Sequence, residues 1–321
     1  MRAVYAATQS GDNPLTGLTV GELEVPEAPA DFRRVRVVAS SLNHHDLWSL
    51  QGVGLPGERL PMVLGCDAAG VDDDGNEVIV HGVVSSPEWR GDETLDPRRS
   101  LLSERYPGTM AEYVWVPERN LVPKPPELSF EEAACLPTAW LTAYRMLFTV
   151  SPAMPGSTVL VQGAGGGVAS AVISLAAAAG FRVWATSRSE AKRQRALELG
   201  ADQVFDAGER LPDRVDVVFD SVGEATWAHS LRSLVPGGAV VTCGATSGPA
   251  PSADLNRVFF LQLRVLGSTM GTREELLRLA RFLVMTGVRP VIDDVLPLDD
   301  AAAGFQRLLD GDVFGKIVFR H

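Results

Sequence analysis

The sequence predicts an α/β fold in two parts: a doubly wound parallel sheet with helices on both faces, and a β-rich, barrel-like domain. Three observations predict it. A short β-branched run, Thr158-Val159-Leu160-Val161, breaks into Gly163-Ala164-Gly165-Gly166-Gly167 and continues as a helix-like stretch from Val168. Strand-like and helix-like stretches then alternate, which implies parallel strands with covering helices. The first third of the chain instead carries short strand-like runs between turn residues.

In chain order, residues 1–7 read as a first strand, being too short and too soon polar for a signal peptide. Residues 20–23, 35–39, 77–80 and 111–116 read as further strands of the β-rich domain. The Pro-rich stretch Val122-Pro123-Lys124-Pro125-Pro126 reads as a boundary, because proline cannot continue a ladder. The expected domains are 1–125 with 272–321, and 126–271. Ser129, followed by Glu131 and Glu132, starts a helix with acids in its first turn. After the glycine turn come a strand at 182–186, an amphipathic helix at 189–199 stopped by Gly200, and strands at 204–205, 215–219, 239–243 and 264–268. Residues 313–319 read as a strand returning to the first domain.

The glycine turn carries the first chemical expectation. Gly163 lets the chain leave the strand sharply, Gly166 and Gly167 let a phosphate approach the backbone, and Ala169 lets the helix pack closely on the sheet. Unpaired N–H groups and the positive end of the helix dipole then form a site for a pyrophosphate. Asp220, Gly223, Gly244 and Ala245 also follow predicted strands, so they are expected to converge on the same crevice.

Composition sets the limits. A 321-residue chain that is 45% hydrophobic suits about two domains, and a net charge of −11 argues against nonspecific nucleic-acid binding. No apolar run approaches the roughly 20 residues that cross a bilayer. Cys66, Cys135 and Cys243 form no Cys-x-x-Cys pair, so a cytoplasmic protein with reduced thiols is expected. Lys124, Lys192 and Lys316 are the only lysines among 29 basic residues, a bias that reads most simply as codon usage.

Nearly the whole chain resembles the medium-chain dehydrogenase/reductase superfamily, specifically its zinc-lacking, quinone-oxidoreductase-like branch. The markers stand in order: Leu42-Asn43-His44-His45-Asp46-Leu47, Leu64-Gly65-Cys66-Asp67-Ala68-Ala69-Gly70, Met110-Ala111-Glu112-Tyr113-Val114, Leu136-Pro137 with Leu141-Thr142-Ala143-Tyr144, the glycine turn, Phe219-Asp220-Ser221-Val222-Gly223, Pro236-Gly237-Gly238, Gly267-Ser268-Thr269-Met270-Gly271 and Phe314-Gly315-Lys316-Ile317-Val318. The resemblance implies a Rossmann cofactor domain, a GroES-like catalytic domain, hydride transfer with a nicotinamide cofactor, and a homodimer. It implies cofactor contacts from Gly163, Gly165, Gly166, Gly167, Val168, Ser187, Arg188, Lys192, Asp220, Val222, Gly244, Ala245, Gly267, Ser268 and Lys316. It places the nicotinamide near Asn43, Thr142, Gly244 and Gly267-Ser268.

NADPH is the expected cofactor. NAD-preferring relatives carry an acid at the end of the second strand to bind the ribose hydroxyls. Here that place reads Thr186-Ser187-Arg188-Ser189. Arg188, with Lys192 a helical turn on, is expected to pair with a 2′-phosphate, and Ser187 to donate a hydrogen bond. A solvated basic helix start is the alternative.

No zinc is expected. The Cys, His and Cys that hold catalytic zinc in the zinc-dependent branch fall here on Asn43, Cys66 and Thr138, and zinc needs Cys, His or carboxylate ligands. The loop at 85–108, in the place of the structural-zinc lobe, contains no cysteine. An atypical metal site from His44, His45, Asp46, Cys66 and Asp67 is the alternative. Without a Lewis acid, reduction of an electrophilic quinone or α,β-unsaturated carbonyl is favoured over alcohol oxidation. Asn43 is expected to donate to the acceptor oxygen or hold the nicotinamide ribose. His45, where zinc-dependent relatives often carry a proton-relaying hydroxyl, is the better histidine for proton donation, with a packing role as the alternative. The loop at 85–108 reads as either a lid or a solvated surface loop. Competing functions are an enoyl-thioester reductase, an alcohol dehydrogenase, or a non-catalytic NADPH-binding protein. Neither nucleic acid nor membrane is an expected partner. The homodimer is expected to form through the apolar edge strand at 264–268.

Overall fold

The computed structural model describes residues 1–25 and 28–321. The chain divides into two units, Met1–Leu141 with Met270–His321, and Thr142–Thr269.

In the first unit the long strand Phe32–Ser41 pairs antiparallel with Asp67–Asp72 along one edge. Its other edge is shared. The first half pairs with Tyr113–Pro117 and the second with the C-terminal strand Lys316–Arg320. A register shift between Val37 and Ala39 marks the change. The sheet continues through Glu77–Val80 to Leu121–Pro123 on one side and to Ile292–Pro297 on the other. A smaller sheet joins Leu18–Glu22, Arg2–Ala6 and Met62–Val63. Strand residues alternate inward, and Val35, Val78, Val80, Val114 and Val116 share one apolar cluster.

The Pro-rich stretch is not the division between the units. Leu121–Pro123 is an edge strand on Glu77–Val80, where proline is tolerated because no further neighbour needs its N–H. The helix Phe130–Ala134, capped by the Ser129 hydroxyl on the Glu132 N–H, then packs on Phe32–Ser41 and Asp67–Asp72. Burying that helix keeps residues 126–141 with the first unit, and the division falls after Leu141.

The second unit is a six-stranded, wholly parallel sheet. Its order is Gln203–Phe205, Arg182–Thr186, Thr158–Val161, Val215–Asp220, Leu234–Thr242 and Arg264–Gly267. Val159, Leu160, Val183, Val217, Val218, Val240 and Val241 are buried, the near-continuous apolar pattern of strands covered on both faces. Strand order reverses between Thr158–Val161 and Val215–Asp220, and the carboxyl ends at such a reversal are where sheets of this kind bind their ligands. No helix among the described residues is long and apolar enough to cross a membrane.

One buried histidine ties the return of the chain into the first unit. His81 Nε2 donates to the Gly271 carbonyl at 2.9 Å. Burial, with Arg273 nearby, lowers its pKa to about 4. A histidine buried neutral stabilises the fold fully above its unfolded pKa, and that contribution is lost as pH falls from about 6.5 towards 4. The shift corresponds to about 3 kcal/mol. Denaturant unfolding at a series of pH values is expected to show this decline, and His81→Gln is expected to flatten it. An equally steep decline in the variant would assign it to other groups.

Candidate functional site

The carboxyl ends of the second unit's strands build a cradle. Gly163 (φ +71°) and Gly165 (φ +126°) take backbone conformations that disfavour a side chain. A Cβ on Gly163 would lie 2.7 Å from Val222 Cγ2, and one on Gly165 2.7 Å from Lys192 Cδ. The turn is fastened to the second strand by Ala164 N–H on the Thr186 carbonyl (2.7 Å). Gly166 caps the helix Gly167–Ala178, and the first-turn amides at Gly167 and Val168 have no carbonyl of their own helix to bond. Gly244 and Ala245 follow the fifth strand and pack on the turn at Ser221–Gly223. At the end of the sixth strand, Ser268 N–H bonds the Thr242 carbonyl, while its hydroxyl is buried with no hydrogen-bond partner among the described residues. Gly267 has open space where a side chain would be.

At the end of the second strand no carboxylate occupies the ribose position. Ser187 is buried, and its hydroxyl accepts from the Ser189 N–H. Arg188 is exposed. Lys192, in the first turn of helix Glu190–Glu198, lays its stem on Gly165, so its charge sits beside the glycine turn rather than beside Arg188 alone. Arg193 braces the segment by donating to the Ser187 carbonyl at 2.6 Å and pairing with Glu190 and Asp206.

Asp220 serves this cradle from below. It is fully buried, and its carboxylate accepts from the N–H groups of Val222 and Gly223 and from the hydroxyls of Thr226 and Ser230. It shapes the turn and has no free face for a ligand. Gln162 continues the network. Its amide donates to His229 Nδ1 and the Ser230 hydroxyl, and its carbonyl accepts from Thr186. Gln162, His229 and Ser230 were not legible as site residues, because their meeting depends on how the strands stack.

The first unit holds a buried polar cluster. Lys316, 3% exposed, donates to the Leu42 carbonyl (2.6 Å), Asn43 Oδ1 (2.5 Å) and Asp67 Oδ2 (3.4 Å). Its three protons are therefore engaged within this unit, and none is left for the cofactor contact expected of it. Asn43 Nδ2 donates to Asp67 Oδ2 (2.8 Å) and, weakly, to the Ser41 carbonyl (3.4 Å). Asp46 accepts from the Asn43 and Gly65 N–H groups, and burial raises its pKa to about 6.

His45 is held on both sides. The Cys66 thiol donates to the Leu102 carbonyl, so its sulfur meets His45 Nδ1 as an acceptor at 3.4 Å, and His45 Nε2 donates to Glu104 at 3.1 Å. Burial opposes charge on this imidazole, but the hydrogen bonds it gives to Cys66 and Glu104, with the Asp46 carboxylate nearby, outweigh it and raise its pKa well above the usual value. No ring nitrogen is left to face an acceptor. Glu104 comes from the loop at 85–108, 59 residues away, and no spacing signals it. That loop is folded: the Asp96 carboxylate holds the Ser86 and Arg98 N–H groups, and Leu102 and Ser103 are fully buried. His44 is exposed. Thr142 is buried in the helix Leu141–Arg145.

A glycine-turn cradle on a six-stranded parallel sheet, in a chain whose other unit carries a largely antiparallel sheet, is the two-part architecture of a class of oxidoreductases. Profiles described as "Alcohol dehydrogenase GroES-like domain" and "Zinc-binding dehydrogenase" match residues 30–126 and 167–284. The chain is 34% identical to a 2-methylene-furan-3-one reductase of Solanum lycopersicum, over 92% of this chain and 73% of the relative. Its fold is similar to a solved NAD-dependent alcohol dehydrogenase (TM-score 0.91, 38% identity, all of both chains). It is also similar to a 2-octenoyl-CoA carboxylase reductase solved with NADP and 2-octenoyl-CoA (TM-score 0.89, 26% identity, 99% of this chain and 87% of that one). The chain belongs to the medium-chain dehydrogenase/reductase superfamily and is an oxidoreductase of that fold.

Zinc does not fit the side chains at the position of its catalytic ion. Asn43 offers an amide whose oxygen already accepts from an ammonium, Cys66 a thiol that donates to a carbonyl and that burial keeps protonated, and Thr138 a hydroxyl. Among the described residues, no group of three or more His, Cys, Asp or Glu is placed to hold a metal.

Gly163→Ala tests the cradle. A side chain at positive φ costs roughly 1–2 kcal/mol, and the turn relieves it by moving off Val222. Dinucleotide affinity, read by fluorescence titration, is expected to fall roughly tenfold. Unchanged affinity would mean that the turn does not seat the cofactor.

Proposed function

We propose that the protein is an NADPH-dependent, zinc-independent reductase that delivers hydride to a quinone or an α,β-unsaturated carbonyl compound. The observation that carries this reading is the set of side chains at the position of the family's catalytic metal: an amide bonded to a buried ammonium, a thiol that burial keeps protonated, and a hydroxyl. Such a set cannot acidify an alcohol as a metal does. It suits an acceptor that is already electrophilic and needs orientation and hydrogen-bond donors. NADPH, when bound, supplies the hydride. Gly163, Gly165 and the first-turn amides at Gly167 and Val168 would hold its pyrophosphate, with Lys192 beside them, and Arg188 and Ser187 its 2′-phosphate. Asp220 keeps the neighbouring turn in shape, and the free Ser268 hydroxyl would take a further cofactor contact. An enoyl thioester is a second reading. It is favoured by the relative solved with 2-octenoyl-CoA, whose conjugated carbonyl poses the same chemical problem.

Cofactor oxidation tests the reading directly, with NADPH and NADH compared against quinones, enones and enoyl thioesters in the presence of a chelator. Turnover that survives the chelator and favours NADPH is expected. Turnover only with added metal would overturn it.

The two basic residues have separable roles in this reading. Arg188→Ala is expected to weaken NADPH binding roughly 10- to 100-fold, as for loss of charge-assisted hydrogen bonds, and to leave NADH nearly unaffected. Lys192→Ala is expected to weaken both cofactors alike. Equal loss of both cofactors in Arg188→Ala would remove it from phosphate recognition.

We also propose a homodimer through the sheet edge at Arg264–Gly267. That strand has a partner on one side only. Val265 is 49% exposed, and Phe259 and Phe260 beside it are 68% and 78% exposed. An apolar edge of this kind is a pairing surface, and a twofold would bury it. Light scattering is expected to give a dimer mass for the wild type and a monomer for Val265→Lys. A monomeric wild type at micromolar concentration would refute it.

A further inference from the structure

We propose that Lys316 is the resident cation of the acceptor site, acting through Asn43 to stabilise the negative charge that develops on the acceptor oxygen. This rests on the reductase reading above and names the residues that do the metal's electrostatic work.

The argument begins with geometry. Of the residues that hold the ammonium, Asp67 is 0%, Leu42 and Lys316 are 3% and Asn43 is 8% exposed, so Asn43 is the member of the cluster most open to a ligand. The amide is polarised at both ends. Oδ1 accepts a 2.5 Å charge-assisted bond from Lys316, and one Nδ2 proton is held by Asp67 at 2.8 Å. The other Nδ2 proton makes only a 3.4 Å contact to the Ser41 carbonyl. That bond is weak enough for an acceptor oxygen to replace it.

The residue type agrees. A tripod of three acceptors from separate directions suits a compact ammonium and not the planar guanidinium fork. In a chain whose basic residues are almost all arginine, lysine stands here. Asp67 balances the charge, and its second oxygen, Oδ1, is buried with no hydrogen-bond partner among the described residues. An unsatisfied buried carboxylate oxygen is costly, and such costs are retained mainly at functional sites.

The step balances. NADPH, when bound, would supply the hydride to the conjugated carbon; as the acceptor's π pair shifts to its oxygen, Asn43 Nδ2–H would bond that oxygen while its charge grows. A proton from water would complete the reduced product, with the cofactor left oxidised.

A charge-pair rescue tests the proposal. Lys316→Met leaves Asp67 buried alone and is expected to lower the melting temperature. Lys316→Met with Asp67→Asn removes both charges and is expected to regain stability and to bind NADPH within about twofold of wild type. Its kcat is nevertheless expected to stay roughly 10²-fold down, the loss typical of a transition-state oxyanion donor, with KM for the acceptor little changed. A stable double variant with wild-type kcat would reduce Lys316 to a structural ion pair and overturn the proposal, while the reductase reading would stand. An independent readout is the Asn43 side-chain amide by NMR. One proton shifted far downfield and slow to exchange is expected in the wild type and lost in the double variant. An ordinary Asn43 amide in the wild type would overturn the proposal whatever the turnover. Failure of the wild type to reduce any conjugated acceptor would instead overturn the reductase reading, and the acceptor role with it.

Discussion

A positive charge removed from water must be met by nearly every acceptor its protons can reach, and in the first unit that requirement falls on Lys316. The ammonium comes from the C-terminal strand, the amide of Asn43 from the turn after Phe32–Ser41, and the carboxylate from the start of Asp67–Asp72. Three separate parts of the chain have to arrive together for the charge to be satisfied. The same strands form the centre of the sheet, so the charge cluster and the sheet register fix one another. Breaking one partner alone leaves a buried charge exposed to no solvent, which is far more costly than removing both.

The second unit solves a related problem with neutral groups. A glycine turn has little intrinsic preference for one shape, so something beneath it must hold it. Thr186, Gln162, His229, Ser230 and Asp220 form a continuous hydrogen-bonded chain across three adjacent strand ends and the helix Glu224–Ser233. Both carboxylate oxygens of Asp220 are engaged, by Ser230 of that chain and by Val222, Gly223 and Thr226 around the turn. Asp220 and Lys316 both stand in motifs that resemble cofactor contacts, and in both the side chain points into its own unit. A charged residue next to a site is often the part of the scaffold that makes the site rigid.

The lysines illustrate how residue chemistry is matched to place. Lys124 Nζ lies among the Pro125 and Leu128 carbonyls and the Glu77 carboxylate, and Lys316 Nζ among Leu42, Asn43 and Asp67. Each is a nearly buried tripod, a geometry that arginine cannot reproduce. A codon bias towards arginine accounts for the abundance of arginine but not for the lysines at these two positions.

Local sequence determined the glycine turn, the strand–helix alternation of the second unit, the Ser129 helix cap and the acid-free end of the second strand. Each depends on residues within a few positions of one another, where backbone sterics and side-chain type act directly. The absence of metal-ligand residue types at Asn43 and Thr138 was equally plain in the sequence. Only the tertiary structure decided which side chains are free. It closed His45 between Cys66 and Glu104, consumed the protons of Lys316, turned Asp220 inward and moved residues 126–141 into the first unit. Those outcomes hang on contacts between distant positions, such as the 273 residues that separate Asn43 from Lys316. Such partners are chosen by sheet register and by the need to satisfy buried polar atoms, and neither is written in local spacing.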